Sequence, residues 1–465
     1  RVLKEIEYAS QLGVDLFVLD DGWQGKWGDW LPDSKKFPDG LTPVCQALVQ
    51  RGMKLGVWLG VLAADSDAVV VKEHPEWLIR DENGKPIVGR WNRYVLCFVS
   101  DFRNYFVEVG KRLIDAGVRY FKWDGIDNYR CDSPSHDHGD SNQSPDERAL
   151  RHRYELIRYI TDAARELIKY NQEVVIEMDV TEPGRSVGLA FLSTGRFFWM
   201  NNGASWYGDR SHYRAKSMRM IPALFSFFLP TVLQTYANYP HNHPVYMAQR
   251  YNVNTSLLGG NGFWGDLSDM RETERMQVGE IVRLAKRVKE TVSSTRPQII
   301  GRVGSSPEIY TFFDPQKSEG QIIGFSGSAL NYLYKIPDFP VNKLLAVVRN
   351  SYKFSGDTLI LPLRFPMPDV SREALIFSNK DTGISIVSST SWLKDAYLKE
   401  NNQLVFINGA PGIHTLRWPV QLGKPAIRYS SPVKVAINKV KAANFYKIRI
   451  ETLQQNTEIV VSNES

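Results

Sequence analysis

Cysteine is scarce in this chain: Cys45, Cys97 and Cys131 are the only three in 465 residues. They are odd in number and far apart, which gives neither a disulfide framework nor a zinc-ligand spacing. No apolar run reaches the roughly 18 residues of a membrane span. No signal-peptide pattern is visible, and the chain opens inside a helical pattern. The net charge of +6 is not gathered into blocks, whereas a nucleic-acid partner would need a clustered basic face. No GxSxG elbow and no P-loop occur. The histidines do not stand at ligand spacing with the acids, so neither a metal nor a cofactor is expected.

What is present is apolar and aromatic. Apolar residues make up 43% of the chain, enough for a large core. The length favours two domains. Aromatics reach 12%, with 12 Trp. Indole faces serve sugar rings and protein cores equally well.

Residues 2–13 place Val2, Ile6, Ala9 and Leu12 on one helical face, ended by Gly13. Residues 14–23 form an apolar run stopped by Asp20, Asp21 and Gly22, as suits a strand buried on both faces. Helical and strand patterns then alternate. Helices are expected at 42–52, 100–116, 144–169, 215–227 and 272–292. Strands are expected at 53–60, 118–124, 173–179, 195–202, 230–236 and 255–264. Ser144, Pro145 and Glu147 make a capping-box start for the helix after the 118–124 strand.

Seven strands precede residue 265, one short of a (β/α)8 TIM barrel. The reading is a barrel whose first strand lies upstream of residue 1, over residues 1–292, with an open doubly wound sheet as the alternative that explains the polar strand ends less well. From residue 293 to 465 the segments become short, β-rich and punctuated by turn residues. This is expected to be an all-β antiparallel sandwich domain.

Acids stand at the ends of the strands, where a barrel keeps its chemistry: Asp20, Asp21, Asp124 and Asp179. Asp65, Asp209 and Asp266 follow strands in loops. Paired carboxylates are what glycoside hydrolysis needs: one attacks or stabilises the anomeric carbon, and the other protonates the leaving oxygen. Lys122 and Asp124 share one face of their strand, and Trp123 faces the other way. A lysine there offers a charge that keeps a neighbouring carboxylate ionised. Asp127 already lies in the turn and suits a capping role.

Several stretches together resemble glycoside hydrolase family 36, the α-galactosidases of the clan shared with family 27. They are LDDGWQGKWGDWLPDSKKFPDGL from Leu19, GMKLGVWLG from Gly52, HPEW from His74, FKWD from Phe121, PGR from Pro183, ANYPHNHPV from Ala237 and GGNGFWGDLSDM from Gly259. The similarity covers nearly all of residues 1–292 and is weak beyond. It implies retaining hydrolysis of a terminal α-glycosidic bond in an oligosaccharide or glycoside, with Asp124 as the nucleophile.

The resemblance also implies that Asp20, Asp21 and Arg185 contact substrate, and Lys122, Asp179, Trp23 and Trp30 are further candidates for substrate contact. For the tryptophans, core packing is the competing use. For Asp20 it is a turn cap, and for Arg185 a structural ion pair. The family's acid/base falls at Asn202, and an amide cannot donate the proton as a carboxylic acid does. Asp209 is the nearest replacement, leaving Asn202 a substrate contact. Trp58 to Asp67 and Met178 to Glu182 also depart from the family pattern, so the sugar contacts are expected to differ. The departure at Asn202 keeps open a carbohydrate-binding or catalytically impaired barrel, and a transglycosylase. An oligomer is compatible with the sequence.

Overall fold

The computed structural model describes residues 1–179, 191, 193–194, 197–200, 219, 223, 233–238, 246–263, 267–440 and 442–463. Contacts divide the chain into two compact units. One comprises residues 1–205, 231–242 and 259–279, and the other 206–230, 243–258 and 280–465.

The first unit is a TIM-barrel unit. Its strands are β1 (Leu16–Leu19), β2 (Lys54–Gly60), the short pair β3 (Ala63–Ala64) and β4 (Tyr94–Val95), β5 (Val118–Asp124), β6 (Val175–Asp179), β7 (Phe197–Met200), β8 (Leu233–Asn238) and β9 (Gly260–Phe263). All but β3 and β4 form one sheet, in the order β1-β2-β5-β6-β7-β8-β9, and every pairing is parallel. β3 and β4 pair antiparallel.

Helices α1 (Val2–Leu12), α2 (Thr42–Val49), α3 (Val69–Glu73), α4 (Phe102–Asp115) and α5 (Pro145–Tyr170) separate the early strands. α1 stops at Gly13, whose φ of 74° is left-handed. The expected capping box starts α5: Ser144 accepts from the Glu147 amide, and Glu147 accepts from the Ser144 amide at 2.7 Å.

Alternation along β5 sorts its side chains. Trp123 is fully buried and meets Phe106 of α4 at a ring separation of 5.3 Å. Lys122 and Asp124 face the other way, as expected for neighbours two apart.

Two expectations are corrected. The segment 255–264 is not one strand. Thr255 and Ser256 close a helix, α6 (Tyr246–Ser256), and the strand is only Gly260–Phe263. Both hydroxyls bond back to helix carbonyls, Thr255 to Tyr251 at 3.0 Å and Ser256 to Val253 at 2.8 Å. β-branched and hydroxyl residues are thereby accommodated in a helix. The helix expected over 272–292 is two, α7 (Glu272–Arg287) and α8 (Lys289–Ser294), broken where Val288 leaves helical geometry at φ −107° and ψ 9°. Of the expected helix 215–227, only Arg219 and Ala223 fall within the described residues, and both are helical.

The all-β region carries sixteen strands, from Gln298–Ile300 to Glu458–Asn463. They form antiparallel sheets of five, three, four and four strands. Two buried ion clusters sit in this unit. Arg219 binds Glu308 in bidentate fashion at 2.6 and 3.0 Å and lies over the Phe325 ring. Glu373 accepts from Arg250 at 2.6 and 3.1 Å, from Arg349 at 3.0 Å and from Asn254 at 3.0 Å. Burial alone would push the Glu373 carboxyl up, but the two guanidinium charges and these hydrogen bonds outweigh it and hold it down at about 2.

Candidate active site

Asp124 is the last residue of β5. The register with β2 sets Gly60 beside it and Trp58 beside Lys122. With no side chain at Gly60, the Trp58 indole has room to reach upward. A Cβ there would come within 3.0 Å of both the Trp27 and Trp58 rings. Trp58 Nε1 donates to Asp124 Oδ2 at 2.9 Å, and the Gly125 amide donates to Oδ1 at 2.6 Å. Each carboxylate oxygen therefore has one fixed donor, and the group is only 9% exposed. Donors placed this way hold the carboxylate in one orientation.

Lys122 lies one pleat below. Its ammonium bonds Asp20 Oδ2 at 2.8 Å, joining β5 to the end of β1. Burial alone would lower the Lys122 pKa. The charges of Asp20, Glu177 and Asp124 together outweigh it and raise it. Glu177 is Lys122's neighbour on β6 in the strand register, is fully buried, and accepts from the Tyr120 hydroxyl. Among the described residues, Lys122 thus sets a cation beside three carboxylates.

Asp20 also caps its own turn, accepting from the Asp21 amide at 2.8 Å, and Asp21 holds Gln24 Nε2 at 2.7 Å. Both aspartates are exposed at the strand end. Trp23 and Trp30 are buried, at 2% and 0% exposure, and offer no face to a sugar ring. Trp23 Nε1 is spent on the Trp58 carbonyl at 2.9 Å. Their expected stacking role is corrected to packing. Trp27, Trp30, Trp58 and Trp91 form a cluster, edge-to-face except for the tilted Trp27–Trp30 pair, with Trp27–Trp58 at 4.7 Å and Trp58–Trp91 at 5.5 Å.

Trp91, 38% exposed, is the member with an open face. It covers the backbone immediately after Asp124. Gly125 has φ +70°, and a Cβ on it would lie 2.7 Å from the Trp91 ring. Only glycine meets both demands. Trp91 itself has φ +57°, and Asn92 φ +56°, an uncommon pair of left-handed non-glycine residues.

The neighbours of Trp91 clamp this turn. Arg90 binds Asp127 through Nε at 2.9 Å and a terminal nitrogen at 3.0 Å, and its amide donates to the Tyr129 hydroxyl at 2.8 Å. Tyr129 in turn donates to Asp127 at 3.2 Å. Asp65 pairs with Arg93 at 2.9 Å and accepts from the Trp27 amide at 2.9 Å, which makes it architecture.

Sequence reasoning missed Trp58, Trp91 and the Arg90 clamp, since each depends on a non-local approach. The run GRWNRY, with two arginines flanking an indole, was the available signal. Asp179 closes β6. Arg185, Asn202, Asp209 and Asp266 lie outside the described residues. Away from the acids, Cys97, Cys131, His136 and His138 converge, with ligand atoms all within 4.8 Å of one another, a set that neither the cysteine spacing nor the histidine–acid spacing showed. Among the described residues no helix is long and apolar enough to cross a membrane.

Comparison with known proteins places the chain among α-galactosidase relatives. The chain is 25% identical over 334 residues to α-galactosidase Mel36A of Lactobacillus acidophilus, covering 68% of this chain and 42% of that protein. It is 24% identical over 353 residues to α-galactosidase AgaA of Geobacillus stearothermophilus, covering 72% and 46%. The crystal structure of a variant of that AgaA, a family 36 α-galactosidase in complex with raffinose, superposes with a TM-score of 0.63. There the identity is 20%, over 81% of this chain and 53% of that one. The chain thus spans about half the length of these relatives or less. A family model described as Melibiase matches residues 1–295, and the chain belongs to that family.

Proposed function

We propose that the chain is the barrel and β-sandwich portion of an α-galactosidase-like retaining glycoside hydrolase, acting on a terminal α-linked sugar of an oligosaccharide such as raffinose. The observation that carries the reading is Asp124: a strand-end carboxylate oriented by Trp58 and Gly125, beside a buried lysine. We take the catalytic barrel as residues 1–292 and the sandwich domain as 293–465.

In this mechanism Asp124 attacks the anomeric carbon as the glycosidic bond breaks. A glycosyl-enzyme ester forms, and water then releases the sugar with retained configuration. Trp58 and Gly125 keep the attacking oxygens aimed, so little reorientation is needed at the transition state. Asp20 and Asp21, exposed at the end of β1, hold sugar hydroxyls by charge-assisted hydrogen bonds, and Asp179 and Asn202 are assigned further substrate contacts. Arg185 orients the substrate, and the open face of Trp91 supplies the stacking surface that Trp23 and Trp30 cannot.

Asp209 serves as acid and base, because Asn202 at the family position has no proton of suitable acidity to give. Asp124→Asn should abolish turnover of aryl α-galactosides while leaving the fold intact, and retained turnover would refute the assignment. Asp209→Ala should spare the first step with activated aryl leaving groups and suppress it with raffinose. Equal activity on both substrates would remove Asp209 from the mechanism.

Asn202 also favours a second reading, a barrel that binds α-linked sugars without hydrolysing them. Measurable sugar binding with no turnover of any α-linked substrate would establish it. Product analysis with excess acceptor sugar separates hydrolysis from transglycosylation.

A further inference from the structure

Four side chains with no part in the glycosidase reading meet behind the loop that follows Asp124. Cys97 follows β4, while Cys131, His136 and His138 all come from the loop between β5 and α5. All four are buried, Cys97 and His138 completely. Cys131 Sγ lies 3.2 Å from His136 Nδ1 and 3.3 Å from His138 Nε2.

The far nitrogen of each ring is committed. His136 Nε2 meets the Glu76 carbonyl at 2.8 Å, and His138 Nδ1 meets the Arg148 carbonyl at 3.1 Å. A carbonyl can only accept, so each of those nitrogens carries the proton. In the neutral imidazoles the inward nitrogens, Nδ1 of His136 and Nε2 of His138, are left with lone pairs aimed at the same sulfur. One thiol hydrogen cannot serve two such acceptors. Two sulfurs and two nitrogen lone pairs converging on one buried point are the donor set of a soft or borderline cation. The outward N–H bonds to backbone carbonyls are the supporting contacts that fix metal-ligating imidazoles.

We propose that Cys97, Cys131, His136 and His138 bind one structural zinc ion. A tetrahedral Cys2His2 zinc has metal–sulfur and metal–nitrogen distances of about 2.3 and 2.0–2.1 Å, which set sulfur-to-nitrogen edges of about 3.5 Å. The edges of 3.2 and 3.3 Å at Cys131 fit this with a small expansion. Four protein ligands leave no open position, so the ion is structural rather than catalytic.

The surrounding backbone is arranged to hold the ligands. Trp77 O accepts from the Cys97 amide at 2.8 Å, and Val99 O accepts from the Asp137 amide at 3.0 Å. Arg148, at the start of α5, donates to the carbonyls of Asp132 at 2.6 Å and Asp140 at 3.2 Å. Gly139 turns the loop at φ +142°, where a Cβ would strike both Gln143 and Arg148. The zinc staples the loop carrying Asp127 and Tyr129 to the segment after β4. Both residues belong to the clamp on Arg90, so the metal fixes one wall of the proposed sugar site from behind.

The test reads metal directly and does not depend on glycosidase activity. The chain is produced in zinc-supplemented medium and purified without chelator. The bound metal is then measured by inductively coupled plasma mass spectrometry. One zinc per chain is expected, with near-complete loss in Cys131→Ser and His138→Gln.

If those variants fail to fold, two readouts on the unaltered chain decide. Cobalt-exchanged protein should show the visible bands of a tetrahedral thiolate–imidazole site. Cys97 and Cys131 should resist iodoacetamide until a chelator strips the metal under native conditions, with the half-buried Cys45 as the metal-independent control. Zinc at the buffer level, a colourless cobalt form, a Cys97–Cys131 disulfide in the peptide map, or zinc retained in both variants would each overturn the proposal.

Discussion

Lys122 is the most informative position to perturb for stability. Replacing it by Met keeps the volume and removes the charge. The carboxylates around it respond differently. The Asp20 side chain is 45% exposed and regains water when the ammonium is lost, so its share of the loss is small. Glu177 is fully buried and Asp124 is 9% exposed, and neither can be rehydrated in place. Removing one partner of a buried ion pair costs about 3–5 kcal/mol, and the low end applies because Asp20 escapes. Asp20→Asn, which leaves Lys122 near Glu177 and Asp124, should cost only about 1 kcal/mol. Urea unfolding followed by tryptophan emission reads both values.

The pKa of Lys122 is raised in the folded chain. Its stabilisation is therefore complete below the unfolded lysine value of about 10.4 and is lost as pH rises through the folded value. The gap between wild type and Lys122→Met should accordingly stay flat from about pH 6 to 9 and close only in alkali. A Lys122→Met variant within about 1 kcal/mol of wild type, or no costlier than Asp20→Asn, would refute the reasoning.

Other outcomes follow from the same geometry. Gly125→Ala forces a left-handed alanine against Trp91 and should cost about 1–3 kcal/mol, with a shifted indole emission; unchanged emission and stability would contradict the close approach. Arg90→Ala severs a bidentate bond to a buried carboxylate, worth about 1.5–3 kcal/mol, and should raise KM well beyond its effect on kcat. An unchanged KM would free the clamp from any part in substrate binding. In the β-rich unit, Glu373 sits at about 2, below its unfolded value of about 4.5. Its stabilisation, about 3 kcal/mol, is present above pH 4.5 and lost as pH falls toward 2. Glu373→Gln should flatten that acid limb in a pH series of thermal unfolding, and an unaltered limb would discount the cluster.

The barrel was legible because its signals are local. Apolar runs ended by acids locate β1, β5 and β6, and the run closed by Gly60 locates β2, all to within about two residues. The Ser144–Glu147 box fixes the start of α5, because a cap is written in four consecutive residues. Thr255 and Ser256 misled because the hydroxyl-to-carbonyl bonds that reconcile them with a helix are invisible to propensity. Leu344–Val348 went unread in the β region: its five buried residues lack the alternation of a half-exposed strand.

At the site, Asp124 followed from position and motif alone. Trp58 did not, since its role depends on the β2–β5 register and on the gap at Gly60. Trp23 and Trp30 were offered as platforms because sequence does not show which face of an indole is covered. The metal-ligand set escaped for a related reason: Cys97 is brought to Cys131 by the chain folding back through α4 and β5, not by any spacing.

The most direct test of the central claim is covalent trapping. The chain is incubated with an activated 2-deoxy-2-fluoro α-galactosyl donor or a galactose-configured cyclitol aziridine, digested and mapped by tandem mass spectrometry. The account predicts one label per chain, esterified to Asp124 and absent in Asp124→Asn. A label on any other carboxylate, or labelling that persists in Asp124→Asn, would contradict it.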